Sequence, residues 1–318
     1  MKLKYLLLSS LVFASTSVWA DPTYRLFVSN EKSDTVSVID SRTGKIETTI
    51  EIGDRPRGLG FSPDKKILYV AISEENAIAM VDVATLEIVG KLKPGDDPET
   101  FGVHPNGNLY VSNEDDAKVS VINPESGEIL HEIKVGIEPE PVVASPNGDV
   151  VLVASESTNM VHIIDTETHK VIANILVGAR PRGLLFNSDG SLAYVSSEIG
   201  NEIAIIDIEK AKIIKTVSVE SIEKSKPMAM VLSPDEKTLY MTAGRANKVA
   251  VFNAKTLELL STVDVGKRVW GIVLSRDGST LYTANGLSHT VSVVDTAAGK
   301  SIMEIEVGQF PWGLALDD

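Results

Sequence analysis

The chain has 318 residues, a formal net charge of −14, an ordinary apolar content of 43% and no cysteine. The missing cysteines exclude disulfide staples, a lipid-anchored N-terminal cysteine and thiolate zinc sites. The negative balance argues against nucleic acid or anionic membrane surfaces as general partners, because phosphates would be repelled at long range.

The first residues read as an export leader. Lys2 and Lys4 precede a short, mostly apolar run from Tyr5 to Ala14, and Val18-Trp19-Ala20 offers small residues where a signal peptidase reads. Cleavage after Ala20 and a periplasmic or secreted location are therefore expected. The mature domain would be residues 21–318, with the charge taken from −14 to −16 by loss of the two lysines. The leader is too short to span a bilayer, and no later segment approaches the roughly 20 apolar residues that membrane insertion needs.

Downstream, a short strand rich in aromatic and β-branched residues recurs. It begins at Phe27, Tyr69, Tyr110, Leu152, Tyr194, Tyr240 and Tyr282, in steps of 42, 41, 42, 42, 46 and 42. A second strand follows each copy, ending at Asp40 and its counterparts. A third apolar run such as Ile46 to Ile52 comes next, then a Pro-x-Gly-like turn into a fourth strand closed by Ser62-Pro63-Asp64 or a relative. Four short strands per unit, turn residues every 8–12 positions and no helical period predict an all-β, seven-bladed β-propeller with four-stranded blades. The last segment, Pro311 to Asp317, is the innermost strand of an incomplete unit whose other strands start at Tyr24. One blade should thus be assembled from both termini, closing the ring.

The Tyr110-Val111-Ser112-Asn113, Val36-Ser37-Val38-Ile39-Asp40 and Ser62-Pro63-Asp64 or Ser145-Pro146-Asn147-Gly148 pieces resemble the YVTN family of β-propeller repeats over residues 24–318. With a leader and seven repeats, the chain is most similar to the exported members associated with pyrroloquinoline quinone (PQQ)-dependent alcohol catabolism. The resemblance implies a quinoprotein dehydrogenase or a transporter component as neighbours.

In a propeller the innermost strands line a central channel, and the loops leading into them ring one mouth. The residues flanking each turn proline are Arg55/Arg57, Asp97/Glu99, Glu138/Glu140, Arg180/Arg182, Lys226/Met228, Arg268/Trp270 and Phe310/Trp312, Val269 replacing proline once. Read around the ring, five contiguous blades are basic or aromatic and two are acidic. Arginine pairs recognise carboxylate or phosphate, and tryptophan offers a stacking face. The arc of Arg55, Arg57, Arg180, Arg182, Lys226, Arg268, Trp270 and Trp312 is therefore expected to bind an anionic, planar small molecule or an acidic peptide segment. The competing reading is that the two arcs neutralise each other by salt bridges across blades.

A second set follows the aromatic strand: Glu31, Glu74, Glu114, Glu156 and Glu198, with Gly244 and Gly286 in the remaining blades. Facing the same mouth, Glu114 and Glu156 could join Asp97, Glu99, Glu138 and Glu140 around a hard cation such as Ca2+. A solvated rim of loop carboxylates is the alternative. The 46-residue step places four extra residues within 220–226, at the mouth, where they could form a flap.

Enzyme motifs are missing. His104, His131, His162, His169 and His289 scatter over the repeat and form no HExxH; Gly299-Lys300-Ser301 lacks the first glycine of a phosphate loop. No catalytic residue is assigned and no motif demands a cofactor. The expectation is a monomeric, non-catalytic binding or accessory propeller whose partner is a small anionic ligand or a periplasmic protein. A lyase-like enzyme using the same funnel and a pure interaction scaffold are the alternatives.

Overall fold

The computed structural model describes residues 22–318; the leader, its cleavage point after Ala20 and Trp19 lie outside the described residues. Among the described residues, seven four-stranded antiparallel sheets form the blades of a propeller, and the only helical element is the single 3-10 turn Ser73–Glu75. Blades 2 to 7 are consecutive in sequence, starting at Pro56, Pro98, Pro139, Pro181, Pro227 and Val269, each with its first strand innermost. Blade 1 comprises Arg25–Asn30, Thr35–Asp40 and Lys45–Glu51, with Pro311–Asp317 as its inner strand. Ring closure from both ends of the chain is thereby realised.

The burial pattern explains why these segments are strands. Leu26, Phe27 and Val28 are consecutive and all fully buried, because the middle strands of a blade have a neighbouring blade on each face. The outermost strand Lys45–Glu51 buries only Ile50. Apolar clusters accordingly form between blades: Phe27, Val36 and Val38 of blade 1 pack with Leu68, Val70 and Ala79 of blade 2. Tyrosine hydroxyls cross the same seams, Tyr194 donating to the Ala254 carbonyl at 3.2 Å and Tyr282 to that of Ser41 at 3.0 Å.

The closing strand pairs Leu26 with Leu316 and Phe27 with Ala315. Asp317, 2% exposed, accepts hydrogen bonds from the amide and hydroxyl of Thr23, both at 2.7 Å, and pairs with Lys65 at 3.1 Å.

Candidate ligand site at the proline-lined mouth

Two local devices aim the mouth residues. The residue before each inner strand is left-handed in all seven blades: Arg55, Asp97, Glu138, Arg180, Lys226, Arg268 and Phe310 have φ between 50° and 59°. In five blades its amide donates to an Asp or Asn side chain in the preceding blade, as Arg180 does to Asn159 and Arg268 to Asn247, both at 2.9 Å. At Phe310 the acceptor is His289 Nδ1, which gives that histidine a structural role. The residue after the proline is held by its carbonyl, which accepts a hydroxyl from the previous blade: Ser29 to Arg57 at 2.7 Å, Ser112 to Glu140 at 2.8 Å, Thr242 to Trp270 at 2.9 Å.

The inner strands also crowd the axis. A Cβ on Gly183 would lie 2.3 Å from the Met228 carbonyl oxygen, and one on Gly271 2.5 Å from that of Trp312. Glycine is needed here for close approach. The channel throat holds a cavity of about 210 Å³, lined by Phe101, Glu140, Arg182, Met228, Trp270 and Trp312 among others.

Most of the arginine arc is already neutralised. Arg55 contacts Glu31, Asp97 and Glu99, the last at 3.1 Å, and Arg57 reaches Glu99 at 3.3 Å. Arg180 pairs with Glu156 at 2.7 Å and with Glu198 at 3.5 Å. Arg182 contacts Glu140, Glu156 and Glu198. Arg57 also lies 5.2 Å from the Trp312 ring. The cross-blade neutralisation weighed against ligand binding therefore accounts for four of the five arginines.

These buried carboxyls have uneven protonation. Burial pushes Glu99 up to about 8 against the pull of Arg57 and Arg55. It pushes Glu156 up to about 9, helped by a hydrogen bond shared with Glu140. Glu140 is fully buried, which would raise its pKa, but the Arg182 charge and the bond to Glu156 outweigh burial and hold it at about 2. Burial and their shared hydrogen bond thus raise one carboxyl of the pair while the Arg182 charge favours one ionised carboxylate beside it.

The six residues considered for a cation do not form one site. Asp97, Glu99 and Glu114 bring ligand oxygens within 4.8 Å of one another, but the Arg55 guanidinium already lies against Asp97 and Glu99. Glu138 turns outward to Ser157, and Glu140 and Glu156 belong to Arg182. Glu74 is exposed, and its blade position is taken by the buried Ser73.

Arg268 differs from its counterparts. Its guanidinium lies over the Trp270 ring, 4.2 Å from the centroid, and among the carboxylates of the described residues it reaches only Glu198, at 3.5 Å. Its Nη1 is buried without a hydrogen-bond partner among the described residues. Burial lowers its pKa more than Glu198 raises it, with the nearby Arg245 and Arg182 charges adding to the fall. Beside it opens a cleft of about 490 Å³ lined by Arg245, Asn247, Lys267, Arg268, Trp270, Leu287 and Phe310. Neither Arg245 nor Lys267 makes an ion pair among the described residues. Both escape a reading of proline-flanking positions, because each lies outside that register. The available signal was the loss of glutamate at Gly244 and Gly286.

The insertion within 220–226 does not hang free as a flap. Ile222, 6% exposed, packs in the core with Val219, Leu239 and Met241, and Ser225 accepts the Arg245 amide at 3.3 Å. It forms a wall next to Arg245, which lines a second cleft with Ser221 to Lys224.

A profile described as SMP-30/Gluconolactonase/LRE-like region matches residues 17–147, and one described as Lactonase, 7-bladed beta-propeller matches residues 144–304, just over half of the chain. No curated protein matches the sequence significantly. Among solved structures, hydrazine synthase of Kuenenia stuttgartiensis is similar with a TM-score of 0.79 at 22% identity, covering 90% of this chain and 99% of that one. A candidate 6-phosphogluconolactonase of Bacteroides fragilis gives 0.77 at 21% identity, covering 92% and 98%. The dihydro-heme d1 dehydrogenase NirN in complex with DHE gives 0.69 at 14% identity, covering 93% and 76%. At these identities the structural likenesses carry the fold alone, whereas the profile match carries the family: the chain belongs to the 7-bladed β-propeller lactonase family.

Proposed function

We propose that this chain is an exported binding propeller that holds an anionic, planar small molecule across blades 6, 7 and 1, in the setting of PQQ-dependent alcohol oxidation. One observation carries the reading. In a strongly acidic protein, Arg245, Lys267 and Arg268 gather round one cleft whose sole ion pair among the described residues is the 3.5 Å contact of Arg268 with Glu198. An anion there gains charge-assisted hydrogen bonds from cations that are not already spent on carboxylates. Trp270 and Phe310 add flat apolar faces to the same cleft. A tricarboxylated quinone meets both features, while a phosphorylated sugar acid meets only the first. An acidic segment of a periplasmic partner would use the same cations.

Calorimetry on the purified chain tests this, with PQQ as the planar probe and 6-phosphogluconate and inorganic phosphate as non-planar anions. PQQ should bind, and Arg245→Ala and Arg268→Ala should each weaken it about tenfold or more, the loss of one charge-assisted contact. Absence of binding by every probe, or wild-type affinity in both variants, removes the proposal.

The family match favours a second reading, ring-opening hydrolysis of a lactone. Glu99 and Glu156 would retain a proton near neutral pH beside the throat, as a general acid must. Turnover of 6-phosphogluconolactone or gluconolactone, followed by acid release and lost in Glu156→Gln, would establish it over simple binding.

A further inference from the structure

On the face of the ring opposite the proline-lined mouth, adjacent blades meet through a repeated pair of positions. One is the residue just after the irregularity in a blade's outermost strand; the other is the left-handed residue closing the last turn of the next blade. At the seam of blades 7 and 1 the pair is Met303 and Gly44, where a Cβ on Gly44 would lie 2.4 Å from the Met303 sulfur. At the seam of blades 4 and 5 it is Ala173 and Ala211. Only at the seam of blades 3 and 4 are both residues histidine, His131 and His169. Their rings stack with centroids 3.8 Å apart and planes 21° from parallel.

We propose that His131 and His169 bind a divalent transition-metal ion, with Tyr110 orienting His169 from behind. The Tyr110 hydroxyl lies 3.2 Å from His169 Nδ1. When Nδ1–H donates to the phenol oxygen, the Nε2 lone pair is left open, the arrangement that metal-bound histidines have when their second nitrogen is tied to an acceptor. His131 is exposed and its ring makes no hydrogen bond among the described residues, so the ring can turn without losing a partner. Modest rotation of both rings allows one nitrogen from each to reach about 2.0–2.1 Å from a shared ion. Neutral imidazoles select Cu2+, Ni2+ or Zn2+ over the oxygen-seeking Ca2+ and Mg2+. Two protein ligands leave further positions to water or to a donor from another molecule. This site is remote from the arginine-lined cleft and does not depend on what binds there.

The probe is Cu2+ alone, titrated into the full-length, untagged chain by calorimetry and followed by electron paramagnetic resonance. One ion per chain with a two-nitrogen coupling pattern is expected. His131→Ala and His169→Gly place at this seam residue types that other blades already hold there, so folding is preserved. Each should weaken Cu2+ about tenfold or more, and Tyr110→Phe by about tenfold through lost orientation. His289→Ala, at another seam, should leave the affinity unchanged. A double variant, His131→Ala with His169→Gly, that binds Cu2+ as the wild type does overturns the proposal. So does a wild-type spectrum with no nitrogen pair.

Discussion

In blades 1, 4 and 5 the position after the aromatic strand is a glutamate that takes up arginines of the mouth: Glu31, Glu156 and Glu198. In blades 6 and 7 it is Gly244 and Gly286, and there the nearby cations keep most of their capacity. Gly286 has a steric role as well, since a Cβ would fall 2.7 Å from Trp270 Nε1 and 2.8 Å from its Cδ1. Gly286→Ala should therefore push the indole out of place while leaving the blade intact. Trp270 and Trp312 are the tryptophans of residues 22–318, so intrinsic emission reports the shift. A changed emission maximum is expected, with PQQ affinity reduced about tenfold and far-ultraviolet circular dichroism unaltered. Emission and affinity both matching the wild type would show that Trp270 is not part of the binding surface. The carboxyls set a second, pH-linked expectation. Glu99 and Glu156 titrate at about 8 and about 9 in the folded chain, against the ordinary carboxylate value of 4.5. Between 4.5 and 9 the folded state therefore keeps protons that the unfolded state has released. Their contribution to stability is complete below 4.5 and is lost as pH climbs through 8 to 9. In urea titrations, wild type should lose ground to Glu156→Gln between pH 5.5 and pH 9; parallel curves would rule out a proton-bearing Glu156.

Strands deliver these side chains through contacts that cross from one blade to the next. Thr242 in blade 6 fixes the Trp270 carbonyl of blade 7, and Ser112 in blade 3 does the same for Glu140 of blade 4. Thr242→Val and Ser112→Ala should each cost about 1 kcal/mol, the net worth of a buried hydrogen bond. Only Thr242→Val should also weaken PQQ, because only it holds the cleft; a loss of affinity in Ser112→Ala would mean that the anion sits on the acidic side instead. The strands themselves were legible in the sequence, since a period near 42 with proline and glycine at fixed offsets admits few folds. The seven mouth positions were legible for the same reason, as each is set by a local turn. What occupies those positions energetically was not. Whether Arg182 meets a ligand or Glu140 depends on a distance between blades, and no spacing within one repeat encodes it. Arg245 and Lys267 were missed because they converge on Arg268 from two different loops. The four added residues of 220–226 looked like a flap by length alone. Their anchor, Ile222, is recognisable only once its neighbours Val219, Leu239 and Met241 are in place.

At the scale of the molecule, the ring resembles a chain of interfaces more than a single core. Each apolar cluster is shared by two neighbouring blades, so a missing strand weakens two seams and leaves faces without partners. Blade 1 concentrates this dependence, because its inner strand Pro311–Asp317 comes from the far end of the sequence. Leu314 of that strand packs with Leu26 and Tyr282, and Ala315 packs with Phe27 and Leu68, so the same seven residues serve both seams of the blade. Deleting residues 311–318 should therefore lower the urea midpoint far more than any single substitution above and broaden the transition as the ring opens. The decisive comparison is a circular permutant that joins Asp318 to Thr23 by a short linker and places new ends between blades 3 and 4, at the exposed Ile137. It retains every strand and converts blade 1 into an unbroken hairpin series, while making no blade depend on both termini. A midpoint close to that of the parent, with PQQ affinity unchanged, is the expected result. If the permutant unfolds as readily as the truncation, retaining every strand is not sufficient, and the ring needs a blade woven from both ends because packing between blades 3 and 4 cannot close it.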